Sequence, residues 1–363
     1  MNVLILTGKF GMGHVSVAEA IRQETLMDDE DINVTVLDFV EYITPNMADS
    51  IYRSFAFFVK HSSDLYNKVN LLADRHTMVP FKSMIEKRIK EMIDEYQPDI
   101  IVTTFPSCGK YIGHYKADYH DDIQLYTYIT DITLHDEWVA SNTDLYFVGG
   151  DSTKEALVQR GVLAEDIKVV GIPVKQAFKQ ATQTIAPPEN ATQKQILLMG
   201  GGLGLIRGID ELIAELLQNP NVALTVIAGN NHELYEKLST EYPNVRCVGY
   251  TTKVNEYMRQ ADMIITKPGG ITMFEAINCE TPLLILPPFL LQEIGNARFI
   301  EDEKIGVVAW EDDQIVPQAQ QLINDDQFLT EIKAKMAHLK AQHYDVSPVT
   351  AFRKEEEQRC QNI

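Results

Sequence analysis

Residues 3–14 read VLILTGKFGMGH: an apolar run, Val3 to Leu6, followed at once by a loop that carries Gly8, Gly11 and Gly13 and closes on His14. A short unbroken apolar run bounded by glycine suits a strand buried on both faces of a parallel sheet. A glycine loop after a first strand ordinarily lets backbone N–H groups approach a phosphate. A phosphate cradle has no need of the histidine, so His14 is the residue that requires a separate account.

The same alternation recurs along the chain. Strands are expected at 2–6, 33–37, 99–103, 124–129 and 144–148, then at 195–199, 223–228, 262–266 and 282–286, with amphipathic stretches between them. That pattern predicts parallel sheets covered by helices, and 363 residues exceed one ordinary core, so two Rossmann-like units follow. The polar, proline-containing stretch KQATQTIAPPENATQK (179–194) lacks apolar periodicity and reads as a linker. The expected division is therefore a first domain at 1–178, the linker, a second domain at 195–343, and a charged last helix at 344–363 packing back on the first domain. Beyond residue 286 the chain is expected to be mostly helical.

With 52 acidic against 32 basic residues the net charge is -20, which excludes nucleic acid as the main partner. The N-terminal apolar run is too short for a signal peptide, and a cytoplasmic chain is expected. Cys108, Cys247, Cys279 and Cys360 show no C-x-x-C spacing and read as reduced thiols; no metal site is expected.

In LLMGGGLGLIRGIDELIAELL (197–217), Gly200, Gly201, Gly202 and Gly204 sit between a strand and a helix with Ile209, Leu212, Ile213, Leu216 and Leu217 on its apolar face. One glycine would mean only a tight turn. Four at a strand-to-helix junction point to a diphosphate facing free N–H groups. The Lys-Ser/Thr of a P-loop is missing, which argues against ATP hydrolysis, and so is the dinucleotide glycine spacing.

A second constellation lies in DMIITKPGGITMFEAINCETPLLILPPFLLQEIGNARFIED (262–302). A strand leads to Pro268, Gly269 and Gly270, a helix is expected from near Thr272, and Glu275 lies one turn inside it. There it either accepts hydrogen bonds from vicinal hydroxyls, such as those of a ribose, or acts as a capping carboxylate. Gln292, Glu293 and Asn296 follow a proline-bounded loop at the end of the strand 283–286, where parallel sheets put their ligands. Amides and a carboxylate there suit sugar hydroxyls and a phosphate oxygen.

Taken with LILTGKFGMGHV, QPDIIVTTFP, TYITDITLHDEWV, IKVVGIPV and QEIGNA, these stretches resemble the UDP-sugar-dependent lipid glycosyltransferases of the GT-B fold. The resemblance is strongest to processive diacylglycerol glucosyltransferases and plant monogalactosyldiacylglycerol synthases. It implies an α/β GT-B fold, with two Rossmann-like domains whose parallel sheets face each other across a cleft. It also implies a UDP-sugar donor with no cofactor or metal, a diacylglycerol acceptor, and a place at the inner face of the membrane. Carried over, the family pattern sets Gly201, Gly202 and Gly204 against the diphosphate, Glu275 on the ribose, Gln292 and Glu293 on the sugar, and Asn296 near the diphosphate. Backbone near Tyr250 would meet the uracil, and Gly13, Gly269, Gly270 and Thr272 complete the donor set. Leu291 departs from the pattern, since relatives carry glycine before the Gln-Glu pair. The peptidoglycan GlcNAc transferase shares GG-x-T-x-x-E, so an alternative acceptor, or a UDP-sugar-binding regulator without turnover, stays open.

An inverting transfer needs a base, and His14 suits it with an ordinary pKa near 6.5. His14 could instead donate to the diphosphate or cap a helix beginning near Val15. Asp131 is the rival base, or a helix cap, with His135 a second partner. Residues 53–90 hold eight Lys/Arg against three acidic residues, beside Tyr52, Phe55, Phe57 and Phe58. This reads as a membrane-facing stretch, or else as ordinary core.

Overall fold

The apolar runs become strands that only a two-sided burial could satisfy: Ile5, Leu6, Val102, Leu198, Ile264 and Ile265 are all fully inaccessible. Burial on that scale contributes roughly 1.5–3 kcal/mol per large apolar side chain. The computed structural model describes residues 1–61, 81–181, 184–188, 192–201, 208–343, 348 and 350–353, without the side chains of 56–61 and 343. The chain divides into two compact units, Met1–Gln176 with His343–Ile363, and Ala177–Gln342.

In the first unit the strands are β1 (Asn2–Thr7), β2 (Asn33–Asp38), β3 (Ile100–Thr103), β4 (Gln124–Tyr128), β5 (Leu145–Val148) and β6 (Ile167–Val169). They form one sheet in the order β2-β1-β3-β4-β5-β6, and every neighbouring pair is parallel. The helices are α1 (Met12–Asp28), α2 (Phe39–Ile43), α3 (Ala48–His61), α4 (Lys82–Tyr96), α5 (Pro106–Tyr119) and α6 (Asp151–Gln159). Ile89 and Met92 of α4 and Ile112 of α5 close one face of the sheet over Leu4, Leu6 and Ile101.

A short helix, α7 (Gln176–Lys179), carries the chain into the second unit. There β7 (Lys194–Met199), β8 (Val222–Ile227), β9 (Arg246–Val248), β10 (Met263–Thr266), β11 (Leu283–Ile285) and β12 (Gly306–Val308) form a parallel sheet in the order β12-β11-β10-β7-β8-β9. Its helices are α8 (Ile209–Leu216), α9 (His232–Glu241), α10 (Val254–Gln260), α11 (Gly270–Cys279), α12 (Leu291–Asp302), α13 (Ile315–Asn324) and α14 (Asp326–His343).

Several sequence expectations need correcting. The region after residue 286 is mostly helical, as expected, but β12 adds an edge strand there; β12, β6 and β9, all edges, were not expected. The stretch read as a linker is tied to the second unit: Thr184 Oγ1 donates to Glu256 Oε1 at 2.7 Å, Ile185 N–H to Glu256 Oε2 at 2.8 Å, and Gln260 Nε2 to Ala186 O at 3.1 Å. Of the last helix, residues 348 and 350–353 are described; Phe352 is fully buried and stacks on Tyr126 of the first unit at 5.6 Å.

Candidate active site

In a parallel sheet the crevice for a ligand opens where the chain reverses its direction of growth, at the carboxyl ends of the strands. In the first unit that point lies between β1 and β3, whose loops bring Gly8–Gly11 and Thr104–Phe105 together. Gly11 has φ +117°, a conformation open to glycine but strained for other residues, and it turns the chain into α1. The helix therefore starts at Met12, not near Val15, and Gly13 and His14 lie in its first turn. The cap residue is Gly11, and no side chain caps the helix, which removes the capping role for His14.

His14 Nδ1 lies 2.8 Å from the carbonyl oxygen of Thr104 and 3.0 Å from Thr130 Oγ1. A carbonyl can only accept, so Nδ1 carries the proton and Nε2 keeps its lone pair. The Thr104 hydroxyl donates to His14 O at 3.1 Å, so this residue holds the histidine by backbone and side chain alike. Burial pushes the His14 pKa below the ordinary histidine value; the Asp131 carboxylate and the Thr104 carbonyl oppose that shift, and His135 adds to it. The ring stays neutral near pH 7 and can accept a proton at Nε2. Trp138, from the 3-10 turn Asp136–Trp138 that follows Asp131, sits 6.2 Å from the His14 ring and 6.1 Å from His135. Phe105 meets the His14 ring edge-on at 5.4 Å. The three expected catalytic residues thus share one neighbourhood. Thr104 and Thr130 were missed as its fixings, and their positions just past β3 and β4 were the available signal.

In the second unit the reversal lies between β7 and β10. Gly200 and Gly201 leave β7, and Gly201 takes φ +71° with nothing within 4 Å of where a Cβ would stand, a turn that strains any side chain without being crowded. Gly202 and Gly204 lie outside the described residues. Across the crevice, Pro268 and Gly269 leave β10, and α11 begins at Gly270, not near Thr272, with Gly269 as an uncapped start. Gly270 and Thr272 therefore stand in the first turn, whose N–H groups have no partner within the helix, and Glu275 stands about half a turn further along than expected.

Asn296 and Glu293 do structural work here. Asn296 is buried and donates to Pro268 O at 2.9 Å, fixing the entrance to α11. Glu293 Oε2 accepts from Phe289 N–H at 3.1 Å and Leu290 N–H at 3.2 Å, capping α12. Only that half of a capping box forms, since Leu290 has no side-chain oxygen. Gln292 and the exposed Leu291 open the same helix, and Tyr250 stands exposed beyond β9. A cavity of about 670 Å³ lies against the opposite ends of β7, β8 and β9, away from all these residues. Among the described residues no group of three or more His, Cys, Asp or Glu could hold a metal ion.

Two doubly wound parallel units with loops at both switch points define the GT-B architecture. Solved structures agree on the fold: MurG of Acinetobacter baumannii (TM-score 0.63, 16% identity, 99% of each chain) and Anabaena HepE in complex with UDP-glucose (TM-score 0.58, 15% identity, 100% of each chain). Residues 14–174 match the monogalactosyldiacylglycerol (MGDG) synthase family, and residues 196–346 the glycosyltransferase family 28 C-terminal domain. A Bacillus licheniformis protein named processive diacylglycerol beta-glucosyltransferase is 31% identical over 93% of this chain and 91% of its own. The chain belongs to this diacylglycerol glycosyltransferase family.

Proposed function

We propose that this protein moves a glucosyl unit, with inversion, from a UDP-sugar to the free hydroxyl of diacylglycerol. The acceptor hydroxyl oxygen bonds to the anomeric carbon as the bond from that carbon to the diphosphate breaks; UDP leaves with the bonding electrons, and the hydroxyl proton goes to His14 Nε2. The observation that carries the base assignment is the Thr104 carbonyl 2.8 Å from Nδ1, which leaves Nε2 free to receive it. Asp131 then favours the imidazolium as it forms, by the same field that opposes the downward shift from burial. Backbone N–H groups at Gly201 and at the start of α11 receive the diphosphate, without a metal. Support for the donor and acceptor comes from the likeness to the Bacillus enzyme, which runs almost end to end.

The test is incubation with UDP-glucose, UDP-galactose and UDP-GlcNAc in turn over diacylglycerol micelles, with lipid products read by mass. A hexosyl-diacylglycerol from UDP-glucose is expected; UDP release with no lipid product would refute the acceptor.

Peripheral attachment to the inner face of the membrane is part of the same proposal. Among the described residues no helix is long and apolar enough to cross a membrane. Residues 62–80, with Lys68 and Arg75, lie outside the described residues, as do the side chains of Phe57, Phe58 and Lys60. Tyr52 and Phe55 pack on Phe10, at 4.9 and 5.0 Å. Phe81 is 76% exposed and Met84 50%, beside Lys82 and Lys87, which suits contact with an interface. Phe81→Ser should lower flotation with anionic liposomes severalfold; unchanged flotation would count against this surface.

A further inference from the structure

We infer that Thr130 is the positioning residue of the base, holding the His14 ring through Nδ1 in the place where many catalytic histidines meet a carboxylate; the inference rests on the transfer mechanism proposed above. The strands β3 and β4 are parallel neighbours, and each delivers one threonine to the same ring nitrogen. Thr104, the first residue past β3, presents its carbonyl oxygen at 2.8 Å, and Thr130, two residues past β4, its Oγ1 at 3.0 Å. Because Nδ1 carries the proton, both oxygens accept from it. Thr130 is only 5% exposed, which leaves little room for water to take its place. One acceptor alone would let the imidazole swing about that bond, since the terminal torsion of a histidine is broad. A second acceptor, from a different strand end, removes that freedom and aims Nε2, while Phe105 bounds the ring edge-on at 5.4 Å.

Charge supplies the second argument. The titratable groups whose charge reaches His14 are Asp131 and His135, both from the loop after β4, and they act in opposite directions. The two direct acceptors on Nδ1 are neutral. A carboxylate in the place of Thr130 would favour the proton on the ring and withdraw the base near neutrality. A hydroxyl oxygen accepts weakly from the neutral ring and more strongly from the imidazolium as it forms. Thr130 therefore steadies the ring before transfer and favours the charged form during it, without fixing the proton there beforehand.

Thr130→Val removes the hydroxyl at nearly constant volume, Thr130→Ser keeps it, and Thr130→Asp supplies the carboxylate. In the full chain, with UDP-glucose and diacylglycerol micelles, Thr130→Val should lower kcat about ten- to a hundredfold, the range for a hydrogen bond to a charged group, with UDP affinity within twofold. Losing an acceptor that favours the imidazolium makes the ring harder to protonate. The acid limb of kcat/KM should therefore move to lower pH in Thr130→Val, return in Thr130→Ser, and move to higher pH in Thr130→Asp. Nitrogen-15 chemical shifts of the His14 ring, assigned by their loss in His14→Ala, should give the same order of ring titrations without substrate. Wild-type kcat in Thr130→Val, or a loss shared equally by Thr130→Val and Thr130→Ser with the ring titration unmoved, would overturn the assignment while leaving the transfer reading intact. A wild-type acid limb that does not follow the ring titration would overturn His14 as the base, and this assignment with it.

Discussion

A carbonyl oxygen cannot donate, and at His14 that constraint decides which ring nitrogen is basic. The sequence raised the histidine as an oddity in a glycine loop, but its tautomer depends on a backbone group 90 residues away, which no spacing reveals. His14→Ala should reduce transfer by 10²–10⁴-fold, the usual worth of a general base, with UDP affinity within about twofold, measured by lipid product and calorimetry. Because burial lowers the folded pKa, the neutral base persists below the ordinary value near 6.5, and kcat/KM should stay level through that pH and decline only beneath it. The same shift acts on stability. As pH falls through 6.5 the unfolded chain takes up a proton that folded His14 still refuses, so stability is full above that pH and is lost toward the folded pKa. His14→Ala should flatten that part of the curve of denaturant midpoint against pH.

At the scale of elements, the long strands were legible because Val, Ile and Leu runs have no other place to go than a sheet covered on both faces. The edge strands β6, β9 and β12 were not: each has three residues and is paired on one side only, and β6 and β9 carry Lys168 and Arg246 within those three. The starts of α1 and α11 were misplaced for a related reason. Both helices begin after a glycine with no side-chain cap, so the Ser, Thr, Asp or Asn that normally announces a helix is missing. The entrance to α11 is held instead from α12, by Asn296. Asn296→Ala would strip the buried Pro268 carbonyl of that partner, at a cost of about 1–3 kcal/mol. The expected result is a lower denaturant midpoint together with weaker UDP binding, whereas a substitution at exposed Arg298, about two turns along the same helix from its entry loop, should alter neither.

On the scale of the whole molecule, chain order and unit membership part company at the C-terminus. The helix α14 belongs to the second unit, yet the residues from His343 onward belong to the first, where Phe352 is fully buried against Tyr126. The charged run FRKEEEQRC, which Phe352 opens, suggested a last helix returning to the first domain. Among the described residues its anchors are the Phe352 ring against Tyr126 and the Arg353–Asp29 ion pair, both with partners more than 200 positions earlier. Phe352→Ala removes that ring from a site which cannot readily collapse, and should cost the first unit about 3–5 kcal/mol. The loss should be confined: UDP affinity, carried by loops of the second unit, should hold at temperatures where the first unit is still folded. Tryptophan fluorescence separates the two, since Trp138 reports the first unit and Trp310 the second. The Trp138 transition should therefore move to lower denaturant while the Trp310 transition stays in place; a joint shift of both would mean that the units unfold as one.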